Sequence, residues 1–222
     1  MTAVDHRALQ SPVRDQDARR TCTAFATSAA HEWVCGGAVR SVEDVLWSGH
    51  TELATPRTDE ALHVREALTG VEAHRQASEA TWPYGAPTWP AGRPAPASLP
   101  AALCAVGQWR ELRSHLFADV AAELDAGLAV VLTLAIVETS WAAAAPDGVI
   151  DAPPTARVVD YHAVLAVGHL EADDHPHAPW PNLIVKNSWS DTWGDQGYGY
   201  VSERYVDAFA TAAHVVQGAS AP

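Results

Sequence analysis

Three residues far apart in the chain carry complementary chemistry: Cys22 in Arg20-Thr21-Cys22-Thr23-Ala24-Phe25, His162 in Asp160-Tyr161-His162-Ala163-Val164, and Asn187 in Lys186-Asn187-Ser188-Trp189. A thiol is mostly protonated at neutral pH and attacks poorly until its anion is stabilised. Two devices for that are visible. Phe25, Ala29 and Trp33 recur at helical spacing with Glu32 among them, which places Cys22 in the first turn of a buried helix. Backbone amides and the helix dipole favour negative charge there. With His162 beside it, the thiol shares one proton with the ring as thiolate and imidazolium, each charge lowering the energy of the other. Asn187 then accepts the second ring N–H and holds the imidazole in orientation, and Trp189 covers that hydrogen bond from water. Gln16 stands six positions before the cysteine. Its side-chain amide, with the Cys22 backbone N–H, can donate to the oxygen that turns negative when a carbonyl is attacked. Losing one such donor typically lowers turnover about 100- to 1,000-fold. Singly, each of these residues has an ordinary structural use; their order, gaps and apolar flanks together point to nucleophilic catalysis.

The elements that must position them are partly legible. Ala61, Val64 and Leu68 predict a second helix ending near Gly70, and Leu116, Val120 and Leu124 a third, with Ser114 as N-cap and Gly127 just past its end. The pattern then changes. Residues 128–136, 163–167 and 182–186 are short apolar or alternating runs separated by Pro, Gly and Asp, and read as strands. A chain of 222 residues that is 48% hydrophobic can bury a sizeable core. The Pro- and Ala-rich stretch 89–100 reads either as the crossing between two halves or as an exposed loop, and the alanine run 142–145 reads as a surface loop.

A formal net charge of −13 argues against nucleic acid and anionic membranes as partners. No run of about twenty apolar residues reads as a membrane span. His169, His175 and His177 lie close together with Asp173 and Asp174, but residues 171–181 carry three prolines and read as a solvated loop, so no metal is assigned.

The blocks Pro12-Val13-Arg14-Asp15-Gln16 through Ala30, Thr81-Trp82-Pro83-Tyr84, His162 through Gly168, and Lys186-Asn187-Ser188-Trp189 through Trp193-Gly194 to Gly197-Tyr198 resemble the papain family of cysteine peptidases. The resemblance implies an α+β, two-lobed fold. A helical lobe, about 16–100, would carry Gln16 and Cys22; an antiparallel β-rich lobe, about 101–222, would carry His162 and Asn187, with the active site in the cleft between them. Residues 1–10 form an N-terminal extension, with room for the chain start to pack on the β-rich lobe. The implied activity is thiol-dependent hydrolysis of a peptide or small amide, catalysed by Cys22, His162, Asn187 and Gln16 with no cofactor. Oligomeric state is left open.

Departures from the family pattern concentrate where substrate binds. Thr23 follows the nucleophile where tryptophan is usual, and Arg20 stands where glycine is usual, so its long cation either blocks the groove or recognises a carboxylate. Tyr161 precedes the histidine, Ser190 replaces a glycine, and the expected Gly-Gly has no counterpart around 56–60. Arg20, Thr23, Tyr161, Trp189 and Trp193 are therefore the substrate-binding or supporting candidates. Arg19 occupies the place of a cysteine. With Cys22 needed as a free thiolate, Cys35 and Cys104 are the only pair left among three cysteines, whereas secreted members generally carry several bridges. Residues 1–10 lack the apolar core of a signal peptide. The simplest inference is a bacterial, cytoplasmic protein without disulfides, restrained by something other than the family's usual pro-segment. Three activities fit: a peptidase of restricted specificity, an acyl or aminoacyl transferase in which an amine resolves the acyl-enzyme, and an inactive peptide-binding module.

Overall fold

The computed structural model describes residues 2–55, 57–85, 106–114, 116–137, 140–144 and 147–218. Helices α1 (Cys22–Val34), α2 (Val42–Thr51) and α3 (Val64–His74) come first, after a two-residue strand β1 (Val4–Asp5). Then follow β2 (Val106–Glu111), α4 (Phe117–Asp125), β3 (Ala129–Val137), the short α5 (Ser140–Ala143), β4 (Val149–Ile150), β5 (Val158–Leu170), β6 (Asn182–Lys186), β7 (Tyr198–Ser202), α6 (Glu203–Phe209) and β8 (Ala210–Gly218). The strands form one sheet in the order β2-β8-β3-β5-β6-β7-β4, with β1 on β5; every pairing is antiparallel except β4 with β7.

Both faces of this sheet are covered, which is why β3 and β6 are buried along almost their whole length. Side chains alternate between two cores. Val130, Leu132 and Leu134 of β3 and Val164 and Ala166 of β5 pack with α4 and α6. Ala129, Val131, Ala163, Leu165 and Val167 face α1, α2 and α3. α1 is buried from Thr23 to Glu32, the condition of a helix enclosed on all sides. Its buried Glu32 is compensated by Arg14 at 2.7 Å, by the Arg40 backbone N–H at 2.8 Å and by the Ser28 and Ser11 hydroxyls.

Several expectations are corrected. α3 runs to His74, through Gly70 and not to it, because Gly70 is a crossing point: a Cβ there would lie 2.4 Å from the Gly49 nitrogen of α2. The cap of α4 is Leu116 and not Ser114, whose hydroxyl bonds instead to Asp119; Gly127 does sit just past the end at φ 74°. The run 142–145 is not a surface loop throughout: Ser140–Ala143 is helical and Ala144 is fully buried, since neighbouring Trp141 must reach the core. Cys35 is disulfide-bonded and Cys22 is free. That overturns the expectation of no disulfide. Cys104 and the stretch 89–100 lie outside the described residues. Helix α2 and the strands β2, β7 and β8 had no sequence reading.

Candidate active site

Cys22 is the first residue of α1, where the backbone N–H groups of the opening turn have no partner within the helix. His162 lies midway along β5, and Asn187 directly follows β6. Because β5 and β6 pair with Leu165 opposite Lys186, the chain leaving β6 runs alongside His162. His162 Nε2 is 2.7 Å from Asn187 Oδ1, which leaves Nδ1 for the sulfur. The Asn187 oxygen is itself fixed by the Ser188 backbone N–H at 2.8 Å. Both side chains are almost wholly buried.

Burial alone would push the Cys22 thiol up. The hydrogen bond and charge of His162, joined by the Ala163 and Thr23 backbone N–H groups, outweigh that and hold the thiol below its ordinary range. The expected union of thiol, imidazole and amide is therefore present in the structure.

Two tryptophans pack on the histidine, and a third packs on them. The Trp189 ring lies 4.6 Å from that of His162, and Trp141 meets the same imidazole edge-on at 5.3 Å. Trp193 stacks on Trp141 at 6.0 Å and contacts Trp189 at 5.6 Å. Trp189 thus lies directly against the ring, whereas Trp193 reaches it only through the other two tryptophans. Trp141 escaped the sequence reading because its segment carried only turn and alanine signals. Its indole donates to Tyr205 Oη at 2.9 Å, and that hydroxyl bonds to the Ala135 carbonyl of β3 at 2.7 Å.

Gln16 is held with its amide oriented. Oε1 accepts from Ser188 Oγ at 2.7 Å, and Nε2 donates to the Arg19 carbonyl at 2.8 Å. One N–H of Nε2 remains, and Gln16 lines the same cleft as Cys22. Ser188, which the sequence places beside Asn187 without marking a role for it, is thus the residue that orients the Gln16 amide oxygen.

The cleft holds about 600 Å³. Gln16, Arg20, Cys22 and Thr23 form one side; Leu62, Val64, Thr133, Ile136 and Tyr161 add apolar and neutral wall. Arg20 is exposed and makes no ion pair among the described residues, while Arg19 beside it is paired twice. Tyr161 is 58% exposed at the rim. Among the described residues no group of three or more His, Cys, Asp or Glu is placed to hold a metal ion. His169 is buried against Asp125 at 2.9 Å, and His175 lies over the Tyr200 ring. No described helix is long and apolar enough to cross a membrane.

Residues 99–218, more than half of the chain, match the family model for papain family cysteine proteases. The chain belongs to that family. The match includes His162 and Asn187 but not Cys22 or Gln16, so it is the three-dimensional arrangement that joins the two halves of the site. A 43-residue stretch is 51% identical to Peptidase 1 of Dermatophagoides farinae, covering 18% of this chain and 11% of the mite protein. Among solved structures, the chain is similar to xylellain, a cysteine protease from Xylella fastidiosa, with TM-score 0.73 and 20% identity over 98% of this chain and 91% of that one. It is also similar to the bromelain protease of Ananas comosus, solved with the E64 inhibitor, with TM-score 0.72 and 18% identity over 98% and 99% of the two chains. These likenesses establish the papain-like α+β fold.

Proposed function

We propose that this chain is a thiol-dependent peptidase of restricted specificity that cleaves a peptide or small amide through an acyl-enzyme on Cys22. The Cys22 sulfur attacks the scissile carbonyl carbon, and the carbonyl π electrons move to oxygen. Gln16 Nε2 and the Cys22 backbone N–H donate to that oxyanion. As the tetrahedral species collapses, the C–N bond breaks and the leaving amine takes the proton from the His162 imidazolium. The now neutral ring removes a proton from water, which attacks the thioester and restores thiolate and imidazolium. Asn187 keeps the ring aimed through both steps, and Trp189 excludes competing water. Arg20 takes a carboxylate of the substrate near the scissile bond, and Thr23 and Tyr161 border the same path.

The observation that carries this reading is the continuous arrangement of Cys22, His162 and Asn187, with the thiol held low by the ring and the ring held 2.7 Å from the amide. It is tested by alkylating the intact protein with iodoacetamide across pH. Wild type should label at Cys22 well below the pH at which an ordinary thiol reacts, and His162→Ala should move the profile up to the ordinary range. Hydrolysis of a mixed peptide pool should disappear in Cys22→Ala. Labelling of Cys22 only at the pH of a simple thiol, or hydrolysis that survives Cys22→Ala, would reject the reading.

A further inference from the structure

The segment 16–21 links Gln16 to the thiol-bearing helix and has no regular secondary structure of its own. One end carries the Gln16 amide and the other runs directly into Cys22, whose N–H is the second donor to the oxyanion, so the shape of the segment sets the two donors relative to each other. Three groups of contacts hold it. First, the Arg19 guanidinium forks between two carboxylates. Nε and Nη2 reach Glu60 at 3.0 and 2.5 Å, and Nη1 and Nη2 reach Glu43 of α2. Glu43 is fully buried and also accepts the Gly85 backbone N–H at 2.9 Å. Second, the same guanidinium lies 4.5 Å over the ring of Tyr84. The Tyr84 hydroxyl donates to the Gln16 carbonyl at 3.0 Å and lies 2.9 Å from Thr21 Oγ1, so it spans the segment from one end to the other. Third, the Arg19 carbonyl is the acceptor that fixes the Gln16 side-chain amide.

These contacts converge on one atom. The Arg19 side chain is immobilised by charge and stacking, its backbone carbonyl is thereby fixed, and that carbonyl turns the remaining Gln16 N–H toward the cleft. Planar bidentate pairing of this kind holds geometry as well as charge. We infer that Arg19 and Tyr84 are positioning residues that aim the Gln16 amide at the oxygen of the attacked carbonyl. The inference rests on the peptidase reading and gives a function to the arginine found where the family resemblance leads one to expect a cysteine. It also explains the division of labour between adjacent arginines: Arg19 is spent internally, and Arg20 is left to the cleft.

The test separates this from general support of the fold. Tyr84→Phe keeps the ring under Arg19 and against Phe25 and removes only the hydroxyl; Arg19→Met removes the fork. With a peptide anilide substrate, both variants should lower kcat about 10- to 100-fold, because a small misplacement of a transition-state donor has effects of that size, while KM stays within about twofold. Iodoacetamide alkylation of Cys22, which creates no oxyanion, should keep its wild-type rate. In a Gln16→Ala background, Tyr84→Phe should cost nothing further, since two residues acting through one group are not additive. Should Arg19→Met fail to fold, Tyr84→Phe and its double variant decide alone. Unchanged kcat in Tyr84→Phe, a parallel fall in alkylation, or a full additional loss on top of Gln16→Ala would overturn the inference. Wild type that acylates no substrate at all would reject the peptidase reading and this inference together; active wild type with an unaffected Tyr84→Phe rejects the inference alone.

Discussion

A buried thiol is ordinarily a small apolar residue with a raised pKa. Cys22 departs from this because His162 and two backbone N–H groups face it, and the imidazole is held by Asn187 and by the rings of Trp141 and Trp189. Arg20 is the residue at which specificity is most directly testable. Its guanidinium is exposed, so solvent screening keeps one substrate contact to about 1 kcal/mol, which is about fivefold in kcat/KM. Substrates with a carboxylate next to the scissile bond should therefore be preferred by about that factor over their amide counterparts. The preference should vanish in Arg20→Gly while neutral substrates keep their rate. Equal kinetics for acidic and neutral substrates in both proteins would remove Arg20 from recognition.

At the scale of elements, the approach of α2 and α3 matters because the first turn of α3 and the residues before it bring Leu62, His63 and Val64 to the cleft. That approach is possible only without side chains at the crossing. A Cβ on Gly70 would meet the backbone of Ser48 and Gly49 at 2.4–2.7 Å, atoms that cannot rotate away. Gly70→Ala is predicted to lower the unfolding free energy by about 1–3 kcal/mol, read as an earlier urea midpoint with an unchanged slope. It should also raise KM as the cleft wall shifts. A fully stable Gly70→Ala protein would mean that the helices separate at no cost.

At the scale of the whole molecule, one buried polar cluster ties the chain start, the central helix and the sheet together. Lys186 of β6 donates to the Ser11 carbonyl at 2.7 Å and hydroxyl at 2.8 Å, and Ser11 in turn bonds to Glu32 of α1. Burial pushes Lys186 down to about 8, with the Glu32 charge opposing that and Arg14 adding to it. The unfolded chain, whose lysine titrates near the ordinary value of about 10.4, binds more protons than the native state between those two pH values. Stability contributed by this group therefore rises with pH across that window, by about 3 kcal/mol over its full width. Thermal unfolding followed from pH 7.5 to 10 should show that rise in wild type, and Lys186→Met should flatten it. A variant whose pH dependence is identical to wild type would place the titration elsewhere.

What could be read from sequence were the things set by local chemistry. Residue type, order and helical spacing sufficed for Cys22, His162, Asn187 and Gln16, for α1, and for the strand character of β3, β5 and β6. The chain could not disclose which groups would be neighbours across large separations. Trp141 closes the histidine cage from a segment that reads as alanine-rich loop, Tyr84 reaches back to Gln16, and Gly70 looks like a helix stop until α2 is placed against it. The same holds for Cys35, whose bonded state its own sequence neighbours do not disclose. Local signals report what a residue does to its own backbone and to neighbours within a few positions. Packing, charge compensation and the aim of a donor depend on the meeting of separate segments, and the tertiary fold alone decides that.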